Sequence, residues 1–177
     1  VTLWSQEGVV LQDTVKLDEI LLKSVRVKEN GTFTQSTVTK KEIEKRNLGQ
    51  DIPILLNYLP SVVSTSDAGA GIGYTGIRVR GSDATRVNVT INGIPYNDAE
   101  SQGTFWVNLP DFASSVENMQ LQRGVGTSTN GSGAFGASLN ILTESIAESA
   151  SAEINSSFGS YNTFKNNIKF STGLLKD

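Results

Sequence analysis

Ile-Arg-Val-Arg-Gly at residues 77–81 opens the most regularly patterned part of the chain. It is followed by Val-Asn-Val-Thr-Ile-Asn-Gly-Ile-Pro at 87–95, Leu-Gln-Arg-Gly at 121–124 and Asn-Gly-Ser-Gly-Ala-Phe-Gly-Ala-Ser-Leu-Asn-Ile at 130–141. Asn92-Gly93 separates two apolar-rich segments, and both residues tolerate the positive φ of a type I′ turn. The pattern therefore predicts short strands joined by tight turns, with a β-hairpin at Asn92-Gly93.

Two short helices are predicted upstream of this run. Thr39-Lys40-Lys41-Glu42 is a capping-box pattern that begins a helix ending near residue 47, and Asp51 caps a second helix that ends before Pro60. Alternating or β-branched runs predict strands at 36–39, 62–65, 76–80, 116–122 and 137–142, and residues 110–115 predict one helical turn. Strands interleaved with two helices indicate an α+β domain with a small mixed β-sheet.

The C-terminal residues alternate between apolar and polar side chains. Ile154, Ser156 and Phe158 share one face of a predicted strand. After a tight turn, Phe164, Ile168 and Phe170 face one way, and Lys165, Asn167 and Lys169 face the other. Such a hairpin is typical of an outer-membrane β-barrel, in which outward apolar residues alternate with inward polar ones. An ordinary half-exposed hairpin shows the same alternation, so both interpretations remain open at this point.

Composition excludes several classes of function. The chain has 177 residues, a net charge of −3 and a pI near 5.0, with no run of Lys or Arg long enough to follow a nucleic-acid backbone. It contains neither His nor Cys, which removes imidazole and thiolate catalysis and the usual zinc sites. No segment approaches 18 consecutive apolar residues, so no transmembrane helix is predicted. We expect no enzymatic activity, no metal site and no cofactor.

Two segments, at 71–76 and 131–136, match the glycine spacing of dinucleotide-binding loops. Such a loop needs a helix after the glycines, because the helix N-terminus binds the pyrophosphate. Each segment is instead followed by residues typical of a strand, so the glycines are interpreted as turns.

The order of these motifs resembles the plug domain of TonB-dependent outer-membrane receptors from about residue 36 to residue 143. Asn92 and Ala137 depart mildly from that family, which more often has Asp and a second Gly at these positions. The resemblance implies an N-terminal segment at 1–35 with a candidate TonB box at about 17–23, and a plug domain at 36–143. It further implies a first transmembrane barrel hairpin at 150–177, with the rest of the barrel absent from this chain.

The resemblance also implies a function and partners. The chain would be the gate of an active transporter in the outer membrane of a Gram-negative bacterium, admitting a nutrient such as an iron chelate with energy relayed by TonB. Its partners would be TonB, the remainder of the barrel, a small nutrient cargo and, as an additional partner, a surface lipoprotein, but no nucleic acid.

Three groups of residues acquire expected roles from the resemblance. Contact with TonB is assigned to Leu17, Asp18, Glu19, Ile20, Leu21 and Leu22, with Asp13-Thr14-Val15 as a competing segment. A lock between plug and barrel wall is assigned to Arg80 and Arg123, which would pair with wall carboxylates. Cargo contact is assigned to Tyr74, Asp83, Tyr96, Asn97, Asp98, Phe105 and Trp106, although Phe105 and Trp106 are equally suited to anchoring their loop.

The loop at 96–107 is expected at the external end of the plug, away from the N-terminal segment, with the Asn92-Gly93 turn at the opposite end of its hairpin. A competing function is a soluble ligand-binding or adhesive module of the envelope, in which the C-terminal hairpin belongs to the module's own sheet.

Overall fold

The computed structural model describes residues 34–125, 130 and 132–173. Its helices are α1 (Lys40–Arg46) and α2 (Ile52–Leu55). Its strands are β1 (Gln35–Thr39), β2 (Val62–Ser66), β3 (Thr75–Val79), β4 (Val87–Ile91), β5 (Ile94–Pro95), β6 (Val116–Arg123), β7 (Ala137–Thr143), β8 (Ser151–Phe158) and β9 (Phe164–Ser171). Single 3₁₀ turns lie at Ala84–Arg86, Trp106–Asn108, Phe112–Ser115 and Ser132–Ala134.

The central sheet has five strands in the order β1-β6-β7-β4-β5. β6 pairs antiparallel with both β1 and β7, whereas β4 pairs parallel with β7 and antiparallel with β5. The sheet is therefore mixed, and with the two short helices it confirms the predicted α+β architecture. Asn92 and Gly93 both have positive φ, 51° and 79°, at the tip of the predicted hairpin.

One face of this sheet builds the hydrophobic core. Val89, Met119, Leu121, Leu139 and Ile141 are fully or almost fully buried there. They come from the three inner strands at alternate positions, as period-two side-chain geometry requires. Residues of α1, α2 and the 3₁₀ turns complete the same apolar cluster. The central part of the opposite face is also buried but carries amide and hydroxyl side chains.

Helix α1 begins where the capping box predicts. The backbone N–H of Thr39 donates to Glu42 Oε2 at 2.8 Å, and the Thr39 hydroxyl donates to the same oxygen at 2.9 Å. These bonds satisfy donors that a helix N-terminus would otherwise leave without a partner, and they lower the pKa of Glu42. The helix places Ile43 in the core and leaves its charged residues outside.

Strand β3 ends one residue earlier than expected. Arg80 was predicted to close the strand, but it has a φ of 52° and is followed by Gly81 with a φ of 76°. Two successive residues in the left-handed region reverse the chain, so Val79 is the last strand residue. Both glycine-rich segments considered above lead into strands and not helices, as expected: β3 begins at Thr75 within the first segment, and β7 begins directly after the second.

β8 and β9 form a separate antiparallel hairpin. Tyr161 and Asn162 each have a φ of 57°, which is the type I′ geometry of a two-residue hairpin turn. The apolar side chains of the hairpin are exposed, namely Ile154, Phe158, Phe164, Ile168 and Phe170. The polar side chains Lys165, Asn167 and Lys169 are turned toward the α+β domain and are partly buried. The hairpin thus has its polar face inside and its apolar face outside, the reverse of a hairpin in a water-soluble protein.

Candidate functional site

Arg80 and Arg123 lie beside each other although 43 residues separate them. The bend at Arg80-Gly81 brings the Arg80 guanidinium over Gly124, where a Cβ would lie 3.3 Å from Arg80 Nη1. Arg123 ends β6, and its guanidinium donates a hydrogen bond to Ser36 Oγ of the neighbouring strand β1. A glycine after each arginine therefore has a structural purpose: Gly81 permits the bend, and Gly124 leaves space for the Arg80 side chain.

The two guanidinium groups form an uncompensated positive site among the described residues. Neither has an ion pair within the part of the chain that the structure describes, and the Nε of Arg123 is buried without a hydrogen-bond partner there. Burial, and secondly the charge of Arg80, lower the pKa of Arg123. Two neighbouring guanidinium groups with donors to spare are suited to binding a carboxylate in bidentate geometry.

The predicted cargo residues do not form one cluster. Tyr74 and Asp83 lie beyond opposite ends of β3, since Tyr74 precedes Thr75 and Asp83 follows Val79. Tyr96, Asn97 and Asp98 follow β5 at the start of the long loop. Tyr74 is 66% exposed and so is available for contact.

Three of these polar residues hold the loops in shape. Asn97 accepts a hydrogen bond from Val89 N at 2.7 Å and donates to Val87 O and Gln102 O at 2.9 Å each. Asp98 accepts from the backbone and side chain of Ser101 at 2.7 and 2.8 Å, which lowers the pKa of Asp98. Asp83 likewise accepts from Thr85 N at 3.0 Å, and its pKa is lowered.

The two aromatic residues of the long loop differ in environment. Trp106 is 2% exposed and belongs to the hydrophobic core, whereas the adjacent Phe105 is 46% exposed. Both line a cavity of about 220 Å³ between the loop, β3 and β4. The environment of Trp106 is that of an anchor, and Phe105 retains a surface for contact.

The long loop and the Asn92-Gly93 turn lie at opposite ends of the sheet, as expected. Asn92 bonds to Ile141 O and Thr143 at one end, and Asn97 bonds to Val87 and Val89 toward the other. The described chain, however, begins at the end where the long loop starts, because Arg123 N donates to Thr34 O there. β1 runs in the same direction as β4, a relation between distant strands that the sequence did not predict. Residue 34 therefore lies at the same end of the sheet as the start of the loop at 96–107. The expectation that this loop lies away from the N-terminal segment is wrong for residue 34. Residues 17–22 and 13–15 lie outside the described residues.

Sequence reasoning missed the polar contacts between the hairpin and the α+β domain. Lys165 Nζ lies 2.6 Å from Asp111 Oδ1 and 2.5 Å from Ser114 Oγ. Lys169 Nζ lies 2.8 Å from both carboxylate oxygens of Glu144, whose Oε1 is also 2.9 Å from Lys40 Nζ. The alternation had placed Lys165 and Lys169 on one face, but their partners are 54 and 25 residues away in sequence.

The described residues contain neither a candidate metal-binding cluster nor a membrane-spanning helix. No group of three or more potential metal-binding side chains occurs among them. Within the same residues, no helix is both long and apolar enough to cross a membrane.

Comparison with known proteins identifies the family. The family model for the TonB-dependent receptor plug domain matches residues 27–138, more than half of the chain. The chain belongs to this family. Receptors of this family are proteins of the Gram-negative outer membrane, and this is the location of the plug.

Individual relatives agree with this assignment. The chain is 33% identical over 108 residues to the vitamin B12 transporter BtuB of Vibrio vulnificus, an alignment that covers 61% of this chain and 17% of that protein. It is 26% identical over 145 residues to a probable TonB-dependent siderophore receptor, PirA, of Acinetobacter baumannii, covering 76% and 19%. Its fold matches the ferric yersiniabactin uptake receptor FyuA of Yersinia pestis with a TM-score of 0.61 at 17% identity, covering 82% and 22%. The chain thus spans about a fifth of the length of these relatives.

The contact between Glu144 and the lysines predicts a pH dependence. Burial alone would raise the pKa of Glu144, but hydrogen bonds from Lys169 and Lys40 outweigh it and lower the pKa. A carboxyl group with a lowered folded-state pKa stabilises the fold above its unfolded pKa of about 4.3, and this stabilisation is lost as pH falls through the folded-state value. We therefore expect the loss of thermal stability between pH 7 and pH 3 to be smaller in Glu144→Gln than in wild type.

Thermal unfolding midpoints of the purified protein at both pH values measure this difference. The exposed Glu117 provides a control, because Glu117→Gln removes a carboxylate that has no ion pair among the described residues. An equal effect of the two substitutions would contradict the role of Glu144.

Proposed function

We propose that this plug is the gate of an energy-driven transporter that admits a small nutrient, such as an iron chelate, through the outer membrane with energy relayed by TonB. The observation that carries the proposal is the reversed polarity of the β8–β9 hairpin on a plug fold. Five large apolar side chains face outward and two lysines face the plug, where they contact Asp111 and Glu144. An outward apolar face suits lipid, and an inward polar face suits a barrel interior.

Two strands do not complete a membrane-spanning structure by themselves. Each leaves an edge whose backbone groups need partners, and such edges are not tolerated in lipid. The remaining strands of the barrel are therefore the first partner of this chain. A soluble adhesive module is a poorer fit, since the apolar face of the hairpin would then be exposed to water.

Arg80 and Arg123 are proposed as the lock between plug and barrel wall. They are neighbours, carry the same charge and have no carboxylate partner among the described residues. Acidic side chains of the wall would neutralise both groups and use the buried Nε of Arg123. Loss of one member of such a pair costs about 3–5 kcal/mol when the other charge stays buried.

Contact with TonB is proposed for residues 17–22. An apolar sequence flanked by charges is suited to adding as a strand to a partner's sheet, with backbone hydrogen bonds providing affinity. Cargo contact is proposed for the loop at 96–107 because Phe105 is exposed there, and not because of the end of the sheet at which the loop lies; Phe105 is the contacting aromatic side chain and Trp106 its anchor. Asn97, Asp98 and Asp83 contribute by holding the loops, and Tyr74 and Tyr96 add aromatic surface.

Disruption of the proposed TonB segment tests the energised function. We expect Leu21→Pro in the full-length receptor to abolish uptake while cargo still binds at the cell surface, because proline removes a backbone donor and fixes φ. Val15→Pro is the comparison, because it lies in the competing segment. Uptake lost only in Val15→Pro would move the segment to residues 13–15, and uptake retained in both variants would overturn the assignment of either segment.

Charge reversal tests the lock. We expect Arg80→Glu and Arg123→Glu to make cells more permeable to large antibiotics, because each turns a predicted attraction to the wall into repulsion. Lys41→Glu is the control, since it makes the same charge change on the exposed side of α1. Equal permeability in all three variants, or a receptor structure with both arginine side chains in bulk water, would contradict the lock.

The division of roles between the two loop aromatics is tested by separate alanine substitutions. We expect Phe105→Ala to weaken cargo binding by about 1–3 kcal/mol without changing stability, because an exposed aromatic anchor contributes mainly to the complex. Trp106→Ala should instead destabilise the plug by about 3–5 kcal/mol, because it leaves a cavity in the core. Titration of the cargo and urea unfolding measure the two effects. Unchanged cargo affinity in Phe105→Ala would remove this residue from the cargo site.

A further inference from the structure

The second face of the central sheet carries two rows of uncharged polar side chains. One row consists of Gln120, Asn140 and Thr90, which lie directly opposite one another on β6, β7 and β4. The next row consists of Gln122, Ser138 and Asn88 on the same strands. The rows extend onto β1 through Thr37 and Gln35. Every residue at these eight positions has an amide or hydroxyl side chain, and none has a charge.

The central part of this polar face is buried, whereas Thr37 on the edge strand β1 is exposed and Gln35 and Asn88 are partly exposed. Gln122 and Ser138 are 0% exposed, and Thr90, Gln120 and Asn140 are almost as inaccessible. Asn130, from the connection between β6 and β7, lies on the same face and donates from Nδ2 to Gln122 Oε1 at 3.2 Å. The central part of the face is therefore covered even though its composition is that of a surface that contacts water.

Hydrogen bonds between the side chains make this burial tolerable. Thr90 Oγ1 donates to Asn140 Oδ1 at 2.6 Å, Asn88 Nδ2 donates to Ser138 Oγ at 3.3 Å, and Gln122 Nε2 donates to Gln120 Oε1 at 3.2 Å. A buried amide or hydroxyl without such a partner costs roughly 1–3 kcal/mol in proteins. A sheet that stays permanently covered on both faces normally carries apolar residues on both. The polar face instead has groups that exchange a protein partner for water at little cost.

We propose that this face is the wall of the passage that cargo follows when the plug opens. The inference rests on the proposed transport function and adds the class of cargo that the wall suits. Amide and hydroxyl groups offer both donors and acceptors, and the absence of charge at the eight positions gives no preference for either sign. The wall suits a hydrated molecule rich in hydrogen-bonding groups, whether it is anionic, cationic or neutral.

The apolar face of the same sheet has the opposite property. Leu139 is 0% exposed and immediately follows Ser138, but it belongs to the hydrophobic core, which offers water no hydrogen-bonding groups. If the sheet remains folded during transport, only the polar face becomes wet. This contrast between adjacent residues makes the proposal testable.

The test uses single cysteines, because this chain has none. Ser138→Cys is the probe, since the exchange is close to isosteric, and Leu139→Cys is the matched control on the other face. The variants are made in a full-length receptor that has no other cysteine and are exposed in cells to a small, charged thiol reagent. We expect Ser138→Cys to be labelled several-fold faster when cargo and a source of energy are both present, while Leu139→Cys keeps its resting rate.

Each outcome bears on the proposal. Labelling of both cysteines together would mean that the sheet unfolds, and resting-rate labelling of Ser138→Cys during active uptake would mean that the face stays dry; either result overturns the inference. Gln122→Cys repeats the measurement on β6 in case Ser138→Cys does not fold. Absence of energy-dependent uptake in wild type would instead refute the proposed function, so the two failures are distinguishable.

A complementary variant removes the polarity of the wall. Thr90→Val with Asn140→Leu eliminates a hydrogen-bonded pair at similar volume, and we expect slower uptake with unchanged cargo affinity. Thr90→Ser, which keeps the hydroxyl group, should transport at the wild-type rate. Equal uptake rates in the apolar double variant and wild type would overturn the proposal.

Discussion

The pairing of β7 with both β6 and β4 is the constraint on which the plug depends. β7 is the central strand, and five of its seven residues are buried, from Ala137 to Ile141. Its antiparallel pairing with β6 places Arg123 opposite Ala137, and its parallel pairing with β4 fixes where the Asn92-Gly93 turn and the long loop lie. A shift of one residue in β7 would exchange its apolar and polar faces, moving Ser138 and Asn140 into the core. The arginine pair, the loop and the polar face all follow from this one register.

Local chemistry was sufficient to predict the elements of the fold. Asn92-Gly93 specified its hairpin, and the capping box specified the beginning of α1, because both signals depend on neighbouring residues alone. The parallel pairing of β4 with β7 was not predictable in this way, since it joins segments about 50 residues apart and leaves no local pattern. The direction of β1 was missed for the same reason. The positive φ of Arg80 was also not predictable from the sequence, because the alternating pattern ending in Arg-Gly is the same for a straight strand end.

The candidate site was predictable in composition but only partly in arrangement. Arg80 and Arg123 could be named from their motifs, but their proximity could not, because it requires the bend at Gly81 and the space above Gly124. Phe105 and Trp106 are adjacent in sequence and both aromatic, and only the packed structure separates the buried side chain from the exposed one. Lys165 and Lys169 were recognised as one face of a strand, but Asp111 and Glu144 carried no sign that they would meet it.

The distribution of polar and apolar residues between opposite faces of the strands suits one short chain to several different surroundings. The hairpin presents apolar residues outward and lysines inward, so its outer side suits lipid and its inner side meets the carboxylates of the plug. The central sheet presents apolar residues to the core and mainly amide side chains on its second face. If that second face belonged to a permanently dry core, we would expect apolar residues there instead. Neither the hairpin nor the central sheet needs additional strands to separate polar from apolar side chains, because alternate residues of the same strands form the two faces. The proposed gate would need such a division, because its core must stay packed while a neighbouring surface exchanges hydrogen bonds. In this sheet the two surfaces are one residue apart.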